Sequence, residues 1–201
     1  MGVARSRPEA TMEAKAYGRD RRVWTFAGRS RARPEQVYDV LADLGSHLEW
    51  AGNRQFRSFR LLSLDAPGGP AEPGTRFTST GRIPMNRARF DNRNTISKAD
   101  RPRLFEITTE STIAWPKRAH GEGTFVNTFE ISPDGKGSRV VYRSEQLRFR
   151  EPPWGLRYPL LRSVTYRIWI PIWSRRGFRN LLRMAEERST ATSPGSSVPM
   201  K

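Results

Sequence analysis

Between Asn53 and Phe149 the chain is a succession of short β-forming runs separated by turn chemistry, with no helical stretch among them. This constrains the fold more than any other feature. Parallel strands need crossover connections of a dozen or more residues, usually helices, so a doubly wound sheet is excluded. The runs are Phe56–Leu64, Thr75–Ile83, Ala88–Lys98, Leu104–Trp115, Gly121–Ile131 and Arg139–Phe149. Pro67-Gly68-Gly69-Pro70, Pro73-Gly74, Ala99-Asp100-Arg101-Pro102 and Pro133-Asp134-Gly135-Lys136-Gly137 lie between them, and Pro116 closes the longest. Strands joined by short turns pair with their neighbours, which predicts an antiparallel meander.

The flanks complete an α+β architecture. Val23–Ser30 is rich in β-formers and reads as a first strand. Pro34 then opens a helix, with Glu35 and Asp39 placed to favour its dipole. Val37, Leu41, Leu44 and Leu48 form one apolar stripe, and Gly45-Ser46 divides it into two short helices meeting in a V. After Pro152-Pro153 a long helix is expected. Its stripe of Leu160, Leu161, Val164, Ile168, Ile172, Leu181, Leu182 and Ala185 would fill the concave side of the sheet, with a break or kink near Pro171. Residues 152–171 read either as a lid or as an extension of that helix. Residues 1–21 and 189–201 lack large apolar runs and are expected to be disordered, leaving one domain over 22–188.

Composition removes several kinds of chemistry. The chain has no cysteine, which excludes thiolate metal sites and cysteine nucleophiles, and its two histidines argue against a multi-histidine metal centre. No G-x-S-x-G elbow or phosphate-binding glycine loop occurs, so neither hydrolase nor nucleotide chemistry is indicated, and no metal or cofactor is expected. Thirty-six basic residues against twenty acidic ones give a net charge of +16. The basic residues are mostly arginines scattered along the chain, which fits solvated faces better than a nucleic-acid site. The first 22 residues hold no apolar core of a signal peptide, and three arginines interrupt Leu156–Trp173, so a cytoplasmic protein is expected.

Four pieces occur in a telling order. They are Arg33–Asp43 with His47-Leu48-Glu49-Trp50, Pro73-Gly74-Thr75-Arg76-Phe77, Arg101-Pro102-Arg103-Leu104-Phe105-Glu106-Ile107, and Gly137-Ser138-Arg139-Val140-Val141-Tyr142. Together with the order of elements they resemble the helix-grip fold of the polyketide cyclase/dehydrase and lipid-transport superfamily, related to START domains, over roughly Val23 to Arg188. The resemblance implies a curved sheet of six or seven antiparallel strands wrapped around the C-terminal helix. It also implies a ligand cavity between the two.

Strand alternation nominates the inward residues. Phe105, Ile107, Thr109, Ser111, Ile113 and Trp115 share one face; Phe125, Asn127, Phe129 and Ile131 share another; Phe90, Asn92, Asn94 and Ile96 a third. From these and the flanking elements the candidate ligand-binding set is Trp50, Phe77, Phe90, Asn92, Phe105, Ile107, Thr109, Trp115, Asn127, Phe129 and Trp169. The buried amides and hydroxyls must bond to each other, to water or to a ligand. His47 and His120 are both expected at the surface, and Glu106 and Glu110 on the outer face. The leading expectation is binding of a small lipid-like, aromatic or polyketide-like molecule, by a monomer or a homodimer. A cyclase or dehydratase activity is the first alternative, with no catalytic residue marked. A basic surface that meets anionic membrane or nucleic acid is the second, prompted by Trp154, Trp169 and Trp173 among arginines.

Overall fold

The computed structural model describes residues 12–17, 21–57, 59–83, 88–114, 120–150 and 158–192. The strands are β1 (Met12–Tyr17), β2 (Arg21–Ser30), β3 (Arg60–Asp65), β4 (Arg76–Arg82), β5 (Arg89–Asp100), β6 (Leu104–Ala114), β7 (Gly121–Asp134) and β8 (Gly137–Arg150). They form one antiparallel sheet in the order β1-β2-β8-β7-β6-β5-β4-β3. Six of the seven pairings of that sheet join strands adjacent in sequence, and β2 returns to pair with β8. The expected meander is therefore present, each strand bounded close to its predicted turns. At the β7–β8 hairpin the connection tightens to Gly135-Lys136, and Gly135 takes a φ of +60° that a side chain would disfavour.

Strand β1 corrects the expectation that order begins at Val23. Met12 pairs with Phe26 and Tyr17 with Arg21, so an eighth strand covers the edge of β2. Its residues, MEAKAY, are mostly helix formers, and the open hydrogen-bonding edge of β2 overrides that weak preference.

Helix α1 (Pro34–Ala42) and the short α2 (Ser46–Leu48), continued by a π-helical turn at Glu49–Asn53, form the expected bent pair. At the other end α3 (Pro159–Val164), a π-helical turn at Thr165–Trp169 and α4 (Ile170–Thr192) follow without interruption. Helix thus continues past Arg188 to Thr192, shortening the expected tail. The predicted disturbance at Pro171 takes the form of this widened turn. Proline lacks an N–H and crowds the carbonyl four residues back, and a turn with one extra residue relieves both.

That extra residue also rotates the helix. Leu181, Leu182 and Ala185 are buried as the stripe predicts, but Leu160, Leu161, Ile168 and Ile172 are exposed. Tyr166 and Trp173 face inward in their place. The N-terminal half of the expected stripe is therefore a surface.

The main core lies between the sheet, α1 and the C-terminal half of α4. Val37, Val40 and Leu41 from α1 meet Phe26, Phe105, Val140, Phe178, Leu181 and Leu182 there. Gly28 makes this approach possible, since a Cβ on it would lie 2.7 Å from Leu182 Cδ1. Arg188 clamps the far end of α4 to Asp43 beyond α1, at 2.9 Å.

Candidate functional site

Beyond that core the sheet curves away from the helix and leaves a cavity of 370 Å³. Its walls are the concave faces of β4 to β8, the π-helical turn carrying Trp50, Gln55 with Phe59, Arg60 and Leu61, and the inward side of the helix at Thr165, Tyr166, Ile170, Trp173, Gly177 and Phe178. The helical wall is pinned by side chains that satisfy main-chain carbonyls. Asn180 Nδ2 donates to Trp50 O (3.1 Å) and Arg54 O (3.0 Å), and Gln55 Nε2 donates to Trp173 O (3.2 Å). Trp24 Nε1 donates to Tyr166 O at 3.0 Å.

Alternation carries a band of uncharged polar groups diagonally across the concave face. Cross-strand pairing sets Ser79 beside Asn92 and Asn92 beside Ser111, Asn94 beside Thr109, and Asn127 beside Ser144. Most of these groups satisfy one another. Thr109 Oγ1 donates to Asn94 Oδ1 at 2.8 Å, and Asn94 Nδ2 donates to Ser79 Oγ at 3.2 Å. Tyr142 Oη and Ser144 Oγ both donate to Asn127 Oδ1, each at 2.9 Å. Among the described residues, four buried polar atoms on the cavity lining have no partner: Asn92 Oδ1, Gln55 Oε1, Trp50 Nε1 and Arg60 Nε.

His47 corrects its predicted surface position. It is 4% exposed, and its ring lies 4.9 Å from that of Trp50. Nε2 sits 2.8 Å from Leu41 O; a carbonyl only accepts, so this nitrogen carries the proton and Nδ1 is the basic one. Burial outweighs that hydrogen bond and lowers the imidazole pKa to about 4, keeping it neutral near pH 7. Burial likewise raises the phenols, Tyr142 to about 12, partly offset by Ser144, and Tyr166 above its ordinary range. His120 is exposed, as expected. Glu106 and Glu110 point outward, Glu106 holding Lys98 and Thr128.

Of the nominated residues, Trp50, Phe77, Phe90, Asn92, Ile107, Thr109, Asn127 and Phe129 stand on the cavity wall. Phe105 does not. It shares the face of Ile107 but lies where α1 covers the sheet, fully buried with its ring edge-on to Tyr38 at 5.7 Å. Trp169 is carried to the surface by the widened turn, and Trp115 and Trp154 lie outside the described residues. Sequence reasoning missed His47, Trp24, Tyr142, Tyr166 and Trp173. Tyr142 was accessible through alternation, since it stands two residues from Val140 and from Ser144 on β8. The others depend on how helices land on the sheet.

A sheet curved around a terminal helix, with a partly open and mainly apolar space between them, is a helix-grip architecture. The family model described as polyketide cyclase/dehydrase and lipid transport matches residues 25–186, and the chain belongs to that family. No curated protein sequence matches it. Among solved structures it is similar to an uncharacterised protein from Rhizobium leguminosarum, at 9% identity and a TM-score of 0.59, covering 88% of this chain and 99% of that one. A conserved protein from Geobacillus kaustophilus gives 9% identity and a TM-score of 0.58, with coverage of 82% and 95%. Protein CV1439 from Chromobacterium violaceum gives 13% and 0.55, with coverage of 82% and 97%. At such identities the likeness concerns the fold. Among the described residues no cluster of His, Asp or Glu could hold a metal ion, and no helix is long and apolar enough to cross a membrane.

Proposed function

We propose that the chain binds a mainly apolar small molecule, lipid-like, aromatic or polyketide-like, that carries one or more hydroxyl or carbonyl groups. The observation that carries this reading is the set of orphaned polar atoms on the wall of a 370 Å³ cavity. A volume of that size is within the range of small-molecule sites, about 300–1,000 Å³. Each buried polar atom left without a partner costs roughly 1–3 kcal/mol, which a matching guest would recover. Asn92 and Gln55 would accept from a hydroxyl, and Trp50 and Arg60 would donate to an oxygen.

Binding is favoured over acid–base turnover by the state of the ionisable groups. General acid–base catalysis works best with a pKa near the operating pH. A histidine near 4 and a tyrosine near 12 are both held in their neutral forms at pH 7, far from that condition.

Native mass spectrometry of the purified chain, followed by solvent extraction and identification of the adduct, tests the reading. A displaceable, stoichiometric adduct that bears hydroxyl or carbonyl groups is expected. Absence of any adduct, together with no saturable uptake of an apolar fluorescent probe, would overturn it.

A further inference from the structure

The helical segment that lines the cavity carries a second apolar surface on its opposite side. Leu160 is 75% exposed and Ile168 50%, and Leu161, Trp169 and Ile172 are exposed with them. Ile168 and Ile172 are four residues apart on one side of the helix, and Leu160 and Leu161 lie about two turns before them, so the exposed apolar side chains follow one another along the segment. From Leu160 to Ile172 the stripe runs about 18 Å at the helical rise. Arg176 extends it sideways, its guanidinium 4.0 Å above the ring of the exposed Phe56.

The charges that this helical segment itself carries have one sign. Between Tyr158 and Ala185 the sequence contains Arg162, Arg167, Arg175, Arg176, Arg179 and Arg183 and no Asp or Glu. A row of stacked rings connects the stripe with the cavity. Trp169 packs on Trp173 (5.8 Å), Trp173 on Phe59 (4.9 Å), and Phe59 lies 6.2 Å from Phe90 on the wall.

We propose that the outward face of Pro159–Ile172 docks on an anionic lipid surface, which places the cavity's helical wall against the bilayer. Tryptophan, leucine and isoleucine on one side with arginines at the flanks is the composition of an interfacial helix. A second copy of the chain would bring the same arginines against themselves, and like charges in register oppose association. An anionic membrane meets both needs, since apolar side chains enter the headgroup boundary while arginines reach phosphates.

The test is flotation of the full chain with vesicles of phosphatidylcholine alone and of phosphatidylcholine with roughly a third phosphatidylglycerol. Enrichment on the anionic vesicles at low salt is expected, weakening by about tenfold towards 0.5 M salt as screening grows. Ile168→Glu and Ile172→Glu should each lower the partition coefficient by about tenfold with the circular dichroism spectrum unchanged, because both side chains are already in water. Arg139→Glu, an exposed site on β8 at the far end of the sheet, should change it about twofold or less. Equal binding to both vesicle types, no binding at all, or losses at Arg139 as large as at Ile168 would overturn the proposal. So would a dimer in light scattering that Ile168→Glu dissociates while vesicle binding is absent. Neither isoleucine lines the cavity, so uptake of a fluorescent probe in vesicle-free solution reports on the cavity separately.

Discussion

Acidification offers the sharpest test of how His47 is held. In the folded chain its imidazole titrates near 4, and in the unfolded chain near 6.5. The unfolded state therefore takes up the proton first. Stability from this residue is full above pH 6.5, falls as the pH drops towards 4, and is lost below that. At about 1.36 kcal/mol per pH unit between the two values, the complete loss is about 3 kcal/mol, of which about 2 kcal/mol is gone by pH 5. Carboxylates titrate in the same window, so the measurement must be differential. Urea unfolding at a series of pH values is compared between the native chain and His47→Gln, whose amide can still donate to Leu41 O. The native chain should lose about 2 kcal/mol more than the variant between neutral pH and pH 5. Parallel curves, or an NMR titration of the His47 ring near 6.5, would refute the argument that burial keeps it neutral.

Three further outcomes are expected. Asn92→Leu removes an orphaned acceptor, so it should raise the stability of the empty protein by up to about 1 kcal/mol in denaturant melts and weaken only ligands that carry a hydroxyl. Gly28→Ala should cost about 1–3 kcal/mol by driving a methyl into Leu182 and Phe178, and measured neutrality would mean α4 is free to move away. Tyr142→Phe should cost about 1 kcal/mol in the same melts, since Ser144 still serves Asn127 after the phenol is gone.

Sequence alone revealed the sheet well and the site unevenly. Strand ends were legible because proline and glycine mark them locally, and Asn127, Thr109 and Phe129 followed from a period of two that bulges disturb only at a few points. Phe105 shows the limit of that logic. Alternation tells which face a residue occupies, but whether α1 or open space lies above it depends on where the chain returns. His47 differs from its expected place for the same reason, since part of what covers it, the ring of Phe77 on β4, is distant in sequence. In the terminal helix the apolar stripe follows a period of 3.6 on both sides of the expected break, and a single widened turn is enough to shift its N-terminal half, leaving Leu161 and Ile168 exposed and Tyr166 buried. Strand β1 was missed because its composition favours helix and only a neighbour's open edge makes it a strand.

That widened turn has a consequence for how the chain tolerates change. One residue corresponds to about 100° of rotation about a helix axis. A deletion anywhere within Thr165–Trp169 would let four residues of ordinary winding make the turn that five make now, so Leu161 and its neighbours on α3 would keep their outward face. Ordinary winding with all five residues kept would instead turn α3 by that angle. The winding of these five positions, more than the identity of any one of them, decides which way its greasy side looks.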